Sequence, residues 1–230
     1  MGLAAPKIDG AGVSAGAPAA AAAGGNVFTD ADQSGATAVD GSTAINPTWS
    51  GSAPAIACTF DDTVQARKLG QLAHLKFPAL TIPATGRCEI VLEIDITSLP
   101  AEGTIAFGLM ASAGATTYAK GIAIINTAGT IKDRILTDNA IGSLGTTHAS
   151  TDRVRMRFPL ESDNLTVRGC FVEVEDSSGN GLINPAYYND SRTLDGTEVP
   201  FYGVGSNSVG ASTLTVEGTF RYYVATIDEA

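Results

Sequence analysis

The stretch from Arg87 to Ile96 (Arg-Cys-Glu-Ile-Val-Leu-Glu-Ile-Asp-Ile) constrains the fold more than any other. Cys88, Ile90, Leu92, Ile94 and Ile96 recur with a period of two. Arg87, Glu89, Glu93 and Asp95 occupy the alternate positions, with Val91 among them. A helix would scatter these apolar side chains around its circumference, whereas a strand places them on one face. The pattern therefore predicts a half-buried antiparallel strand, one face on a core and the other toward solvent or a partner.

The rest of the chain from Leu80 onward follows the same rule. A turn at Leu99-Pro100-Ala101-Glu102-Gly103 leads into predicted strands at Ile105–Met110, Tyr118–Ile125 and Thr130–Leu136. In Arg153–Leu160, Val154, Met156, Phe158 and Leu160 face one way, and Arg153, Arg155 and Arg157 the other. Leu165–Val174 changes phase near Gly169, which predicts a β-bulge. Phe201–Val204 is short. Leu214–Thr226 is the longest, with Leu214, Val216, Phe220, Tyr222 and Val224 on one face. Many strands separated by turn-rich spacers predict an all-β antiparallel sandwich, or jelly roll. A chain of 230 residues, 44% hydrophobic and 17% charged, suffices for one large sandwich or two small domains.

The amino-terminal part differs. Residues 1–25 are mostly Ala, Gly and Pro, with Lys7 and Asp9 as the charges. They read as an extended arm that attaches to a neighbour, Lys7 and Asp9 setting its register. Residues 26–79 read as a turn-rich connector with short edge strands at Val27-Phe28 and Ile56-Ala57-Cys58. Within it, Asp62–Leu75 has rough helical spacing, weakened by Gly70. The competing reading is an extended segment over Leu72–Leu80, limited to an edge or bulge by Pro78. Residues 80–230 form the sandwich domain.

Composition excludes several functions. Net charge is −10, and the 14 Lys and Arg residues are dispersed. Nucleic acid and anionic membrane are not expected partners, because both need clustered basic side chains. No apolar run approaches the ~20 residues that span a bilayer. The opening residues read neither as a signal peptide nor, with Pro6, as a myristoylation signal. Cys58, Cys88 and Cys170 read as buried free thiols of a protein made in a reducing cytoplasm, with one disulfide as the alternative. His74 and His148 lack metal-ligand spacing. Asp176-Ser177-Ser178-Gly179-Asn180-Gly181 reads as a hairpin turn ahead of a calcium loop. With no nucleotide-binding or nucleophile-elbow motif present, no cofactor and no metal are expected.

The charged strands admit two readings. The acidic face of Arg87–Ile96 and the arginine face of Arg153–Leu160 complement each other, so cross-strand ion pairs are the first. The second is chemical. Glu93-Ile94-Asp95-Ile96 resembles the Glu-x-Asp-x-x-Glu strand of laminarinase-like jelly-roll glycosidases, in which the first Glu is nucleophile and the last is acid/base. Ser98 stands at the last position here. Serine cannot supply the proton a retaining glycosidase needs. The resemblance thus implies a concanavalin-like sandwich without the activity, and no enzyme is expected.

The Met1-Gly-Leu-Ala-Ala-Pro-Lys start, the Ala17–Gly25 arm and the acidic Ser/Thr/Gly-rich β-domain together resemble tailed-bacteriophage virion accessory proteins of the head-decoration, head-fibre or tail-fibre type. That resemblance implies a non-enzymatic structural protein located in the virion. It would be anchored to capsid or tail proteins through its arm and would display a homo-oligomeric sandwich, for instance a trimer. The alternative is a lectin-like carbohydrate-binding module taking a cell-surface glycan. Its candidate ligand contacts are Trp49, Tyr187 and Tyr188, the two tyrosines in a polar loop flanked by Asn and Asp. Trp49 has a second reading, as cover for an edge of the core.

Overall fold

A computed structural model of the chain describes residues 37–40, 45–51, 55–66, 71–112, 118–137, 140–141, 147–148, 153–161, 166–176, 178, 186–194 and 196–227. The predicted arm with Lys7 and Asp9, and the predicted strand at Val27-Phe28, lie outside these residues.

The described chain is all β. Its strands are β1 (Thr37–Asp40), β2 (Thr48–Ser50), β3 (Ala55–Asp61), β4 (Ala73–Lys76), β5 (Arg87–Ser98), β6 (Gly103–Met110), β7 (Tyr118–Thr127), β8 (Thr130–Thr137), β9 (Ala140–Ile141), β10 (Thr147–His148), β11 (Arg153–Pro159), β12 (Thr166–Glu175), β13 (Ala186–Thr193), β14 (Val199–Ser206) and β15 (Thr213–Ile227). One sheet has eight strands, ordered β1-β4-β14-β6-β7-β8-β10 with β9 also on β8. The other has seven, ordered β13-β12-β11-β5-β15-β3-β2. Neighbouring strands pair antiparallel throughout. This is the two-sheet antiparallel sandwich that the alternation predicts.

The core lies between the sheets. Ile90, Leu92 and Ile94 of β5 are fully buried there, with Phe107 and Ile122 from one sheet and Val154, Met156, Phe220 and Tyr222 from the other. Aromatic rings knit the layer, Phe77 lying 5.3 Å from Phe220 and 5.5 Å from Tyr222. The predicted bulge is present as a register shift in β12 between Val167 and Gly169. The predicted turn after β5 is closed by Glu102 in the left-handed region at φ 65°.

Glu102 also ties the two corners where the chain crosses between sheets, β5 to β6 and β14 to β15. Its carbonyl accepts from the Asn207 amide at 2.6 Å and from Ser206 Oγ at 3.3 Å. Its carboxylate accepts from the Ala128 amide at 3.1 Å and from Asn207 Nδ2 at 3.3 Å. The β7–β8 turn joins the same knot, with Ala128 and Gly129 both at positive φ, 50° and 89°. Two consecutive residues at positive φ suit the twist of a tight hairpin.

Four expectations are corrected. Within Asp62–Leu75 no α-helix occurs among the described residues. Gln65 bridges Ser206 instead, and Ala73–Lys76 is a strand. Pairing of β4 with both β1 and β14 satisfies its backbone better than a helix interrupted by Gly70. That flanking also makes β4 an interior strand, ending two residues before Pro78. Ile56-Ala57-Cys58 is likewise not an edge, since β2 pairs outside it. Tyr187 and Tyr188 lie in strand β13 rather than in a loop.

Alternation also fails as a guide to the eight-stranded sheet. Every residue of β6 and β14 is buried. Ala106, Met110, Ala123, Val199 and Phe201 form a second apolar cluster with Ala66 and Leu72. Small residues make the floor of this layer. A side chain added at Gly121 would meet Phe201 at 3.2 Å, and one at Gly205 would meet Leu72 at 2.7 Å.

Candidate functional site

The face of the seven-stranded sheet opposite the core carries the charged residues. Cα register places them in rows across the strands. One row runs Glu175, Arg153, Asp95, Thr219, and the next runs Glu173, Arg155, Glu93, Arg221. Charge sign alternates from strand to strand along the second row, so every neighbour is an opposite charge. The row after that runs Tyr187, Phe171, Arg157, Val91, Tyr223. Beyond it, Glu89 stands between Pro159 and Ala225.

The side chains close these rows into a network. Arg153 donates from Nε to Asp95 Oδ1 and from Nη2 to Asp95 Oδ2. Arg155 Nε donates to Glu93 Oε2 at 3.1 Å, and its Nη1 to Glu175 Oε1 at 3.2 Å. Arg157 Nε donates to Glu89 Oε2 at 3.0 Å, and its Nη1 to Glu173 Oε1 at 3.0 Å. Arg221 Nη1 donates to Asp95 Oδ2 at 2.7 Å and lies 3.6 Å from Glu93 Oε1. The predicted pairing of the acidic strand with the arginine strand is therefore observed.

This outer face is drier than its composition suggests. Val91 and Glu93 are each 2% exposed, although both point away from the core. Long arginine side chains can cover the surface beneath them while their charged heads stay paired. Burial works against the charge of Asp95, but hydrogen bonds and attraction from Arg153 and Arg221 outweigh it and hold the carboxyl below its ordinary range. Burial opposes the charge of Arg155 as well, yet Glu93 and Glu175 hold that guanidinium firmly protonated. Burial, reinforced by Glu93, raises the Tyr223 phenol and keeps it neutral.

The chemistry open to this arrangement follows. A carboxylate that accepts from arginines on both sides is a poor proton donor. Asp95, the second position of the glycosidase-like stretch, is in that state, and Glu93 accepts from Arg155 beside it. What the face does present is a set of fixed donors and acceptors. Arg221 makes its protein contacts through Nη1, and among the described residues its Nε and Nη2 have no protein partner. Tyr223, half-buried, follows two residues later on the same face of β15.

The other candidate residues are dispersed. Trp49 is on β2, at the opposite edge of this sheet from β13, and packs inward against the core. Tyr187 and Tyr188 pair with Phe171 and Cys170 across the β12–β13 ladder. Tyr187 thus shares a register row with Tyr223, and Tyr188 does not. Asp176 Oδ1 accepts from the Ser178 amide at 2.8 Å, a local turn contact. The Asn180-Gly181 part of that loop is outside the described residues. Cys58, Cys88 and Cys170 are buried free thiols, as expected. Arg221, Tyr223 and Phe171 were not singled out from the sequence. The available signal was parity, since they alternate with core residues of the same strands.

No protein-family model matches the chain, and no curated protein matches it by sequence. Solved structures do align with it. A protein of unknown function from Shewanella oneidensis MR-1 is 13% identical, with a TM-score of 0.48 and 92% of each chain covered. The lectin UEA-II complexed with galactose is 8% identical, with a TM-score of 0.46, over 87% of this chain and 97% of that one. The carbohydrate-binding module CBM66 from Bacillus subtilis is 11% identical, with a TM-score of 0.41, over 81% of this chain and 91% of that one. The strand order and register of the chain itself define the two-sheet sandwich.

Proposed function

We propose that this protein is a non-enzymatic recognition module that binds a polyhydroxylated, glycan-type ligand on the outer face of its seven-stranded sheet. The observation that carries this reading is the register row Tyr187, Phe171, Arg157, Val91, Tyr223, lying against the ion-paired row of Glu173, Arg155, Glu93 and Arg221. Aromatic faces stack on the apolar side of a sugar ring, and fixed carboxylates and guanidinium edges exchange hydrogen bonds with its hydroxyls. Ion pairing holds these groups in place before a ligand arrives, which lowers the ordering cost of binding. Trp49 packs inward and is not part of this face. Tyr187 stands on this row by its backbone register with Phe171.

The test is binding to an array of neutral and acidic glycans, followed by titration of the best ligand. Tyr223→Ala and Arg221→Ala should each weaken binding at least tenfold at a temperature where circular dichroism shows the variant still folded. An unchanged affinity in both variants, or no binding to any glycan, would sink the proposal.

A second reading rests on the Ala/Gly/Pro composition of residues 1–25. In it the sandwich is a displayed domain of a virion, held by the arm through close backbone approach to another protein. Such an arm carries too few large side chains to repay the ordering of its backbone alone. A chain beginning at Asn26 should keep its β circular dichroism and its melting temperature but lose particle binding. Normal particle binding by that chain would refute the display reading.

A further inference from the structure

Two polar atoms are buried where the sheets meet near the β2 edge. Trp49 stands opposite Cys58 of β3. Tyr202 comes from the middle of the other sheet and is fully buried. Their rings meet edge to face, with centroids 6.2 Å apart and planes at 66°. Trp49 Nε1 and Tyr202 Oη are both withdrawn from solvent, and among the described residues neither has a hydrogen-bond partner. They do not satisfy each other, and buried groups of this kind are almost always paired.

The chemistry of the two atoms limits what can pair them. An indole N–H only donates, whereas a phenol both donates and accepts. Burial, with Cys58 and Glu217 nearby, raises the Tyr202 phenol far above its ordinary value, so it keeps its proton. An anion would face Glu217 in a chain of net charge −10. A cation would meet the positive end of the indole N–H dipole, and an apolar molecule would leave both groups unpaired. A neutral molecule with an acceptor lone pair and a proton of its own suits both groups.

We infer that Trp49 and Tyr202 form an internal binding site between the sheets for one water molecule, which accepts from Trp49 Nε1 and pairs with Tyr202 Oη. Bridging waters of this kind are nearly as favourable as direct hydrogen bonds. Among the described residues β2 is the last strand of its sheet, and Trp49 on it is partly buried. Trp49 therefore acts as a cover over a hydrated junction.

Trp49 is the single tryptophan of the chain, so its spectrum is free of interference. The ultraviolet resonance Raman band that follows indole N–H hydrogen bonding should sit at its hydrogen-bonded position in the unmodified protein. A crystal structure should place one water within about 3.2 Å of both atoms. Trp49→Phe and Tyr202→Phe should each lower the melting temperature, and the double variant should lose no more than the worse single one. A free-indole Raman position, a rise in melting temperature in Tyr202→Phe, additive losses, or density showing Trp49 Nε1 paired to protein would each overturn the inference.

Discussion

Arg155 Nε donates to Glu93 Oε2 at 3.1 Å, and the two side chains are only 18% and 3% exposed although they lie on the outer face of a sheet. Removing one member leaves a charge with little water to solvate it. Glu93→Ala should cost about 3 kcal/mol, the lower end for a buried pair, because Arg155 keeps Glu173 and Glu175. Chemical denaturation would measure this. The double variant Glu93→Leu with Arg155→Met should recover most of the loss, since an apolar pair needs no solvation.

Leu92 tests the inner face of the same strand. It is fully buried between Met156 and Tyr222 in the register of neighbouring strands. Leu92→Ala should cost about 2 to 5 kcal/mol in urea denaturation, the spread reflecting how far the site can collapse. A loss below about 1 kcal/mol would contradict the packing described.

His74 makes stability depend on pH. The ring is buried, its Nδ1 lies 3.2 Å from the Leu72 carbonyl, and Phe201 meets it edge-on at 6.3 Å. Burial pushes the imidazole below its ordinary 6.5, Lys76 adding to the effect and the Leu72 hydrogen bond opposing it. Below 6.5 the unfolded chain therefore binds a proton that the folded chain resists. Stability is fully present above that value and falls as pH drops through it toward the folded-state value. Melting temperature should drop between about pH 7.5 and about pH 5.5, and His74→Leu should flatten that drop.

Gly210 is a steric requirement of the corner after β14. A side chain there would lie 2.4 Å from Asp62 Oδ2. Asp62 is nearly buried and holds this corner, its Oδ1 accepting from the Ser212 amide at 2.8 Å and its carbonyl from the Gly210 amide at 2.8 Å. Gly210→Ala should displace that carboxylate and cost about 1 to 3 kcal/mol. In a double-mutant cycle with Asp62→Ala the two losses should fall short of additive, because each removes the same contact.

Sequence alone determined which residues of each strand share a face. The even-numbered apolar residues of β5, the arginine and apolar alternation of β11, and the glycine bulge of β12 were all legible, because side-chain direction in a strand depends only on local backbone geometry. Tertiary structure decided which strands became neighbours. Arg153, Arg155 and Arg157 meet acids 58, 62 and 68 residues away, and no local period encodes those distances. It also decided burial, since Val91 and Glu93 are dry on a face that alternation assigns to solvent or a partner. Residues 73–76 became an interior strand against their rough helical spacing because β1 and β14 offered hydrogen bonds on both sides. The rows of the candidate face combine side chains from β5, β11, β12, β13 and β15, so that face came into existence only when the sheet assembled.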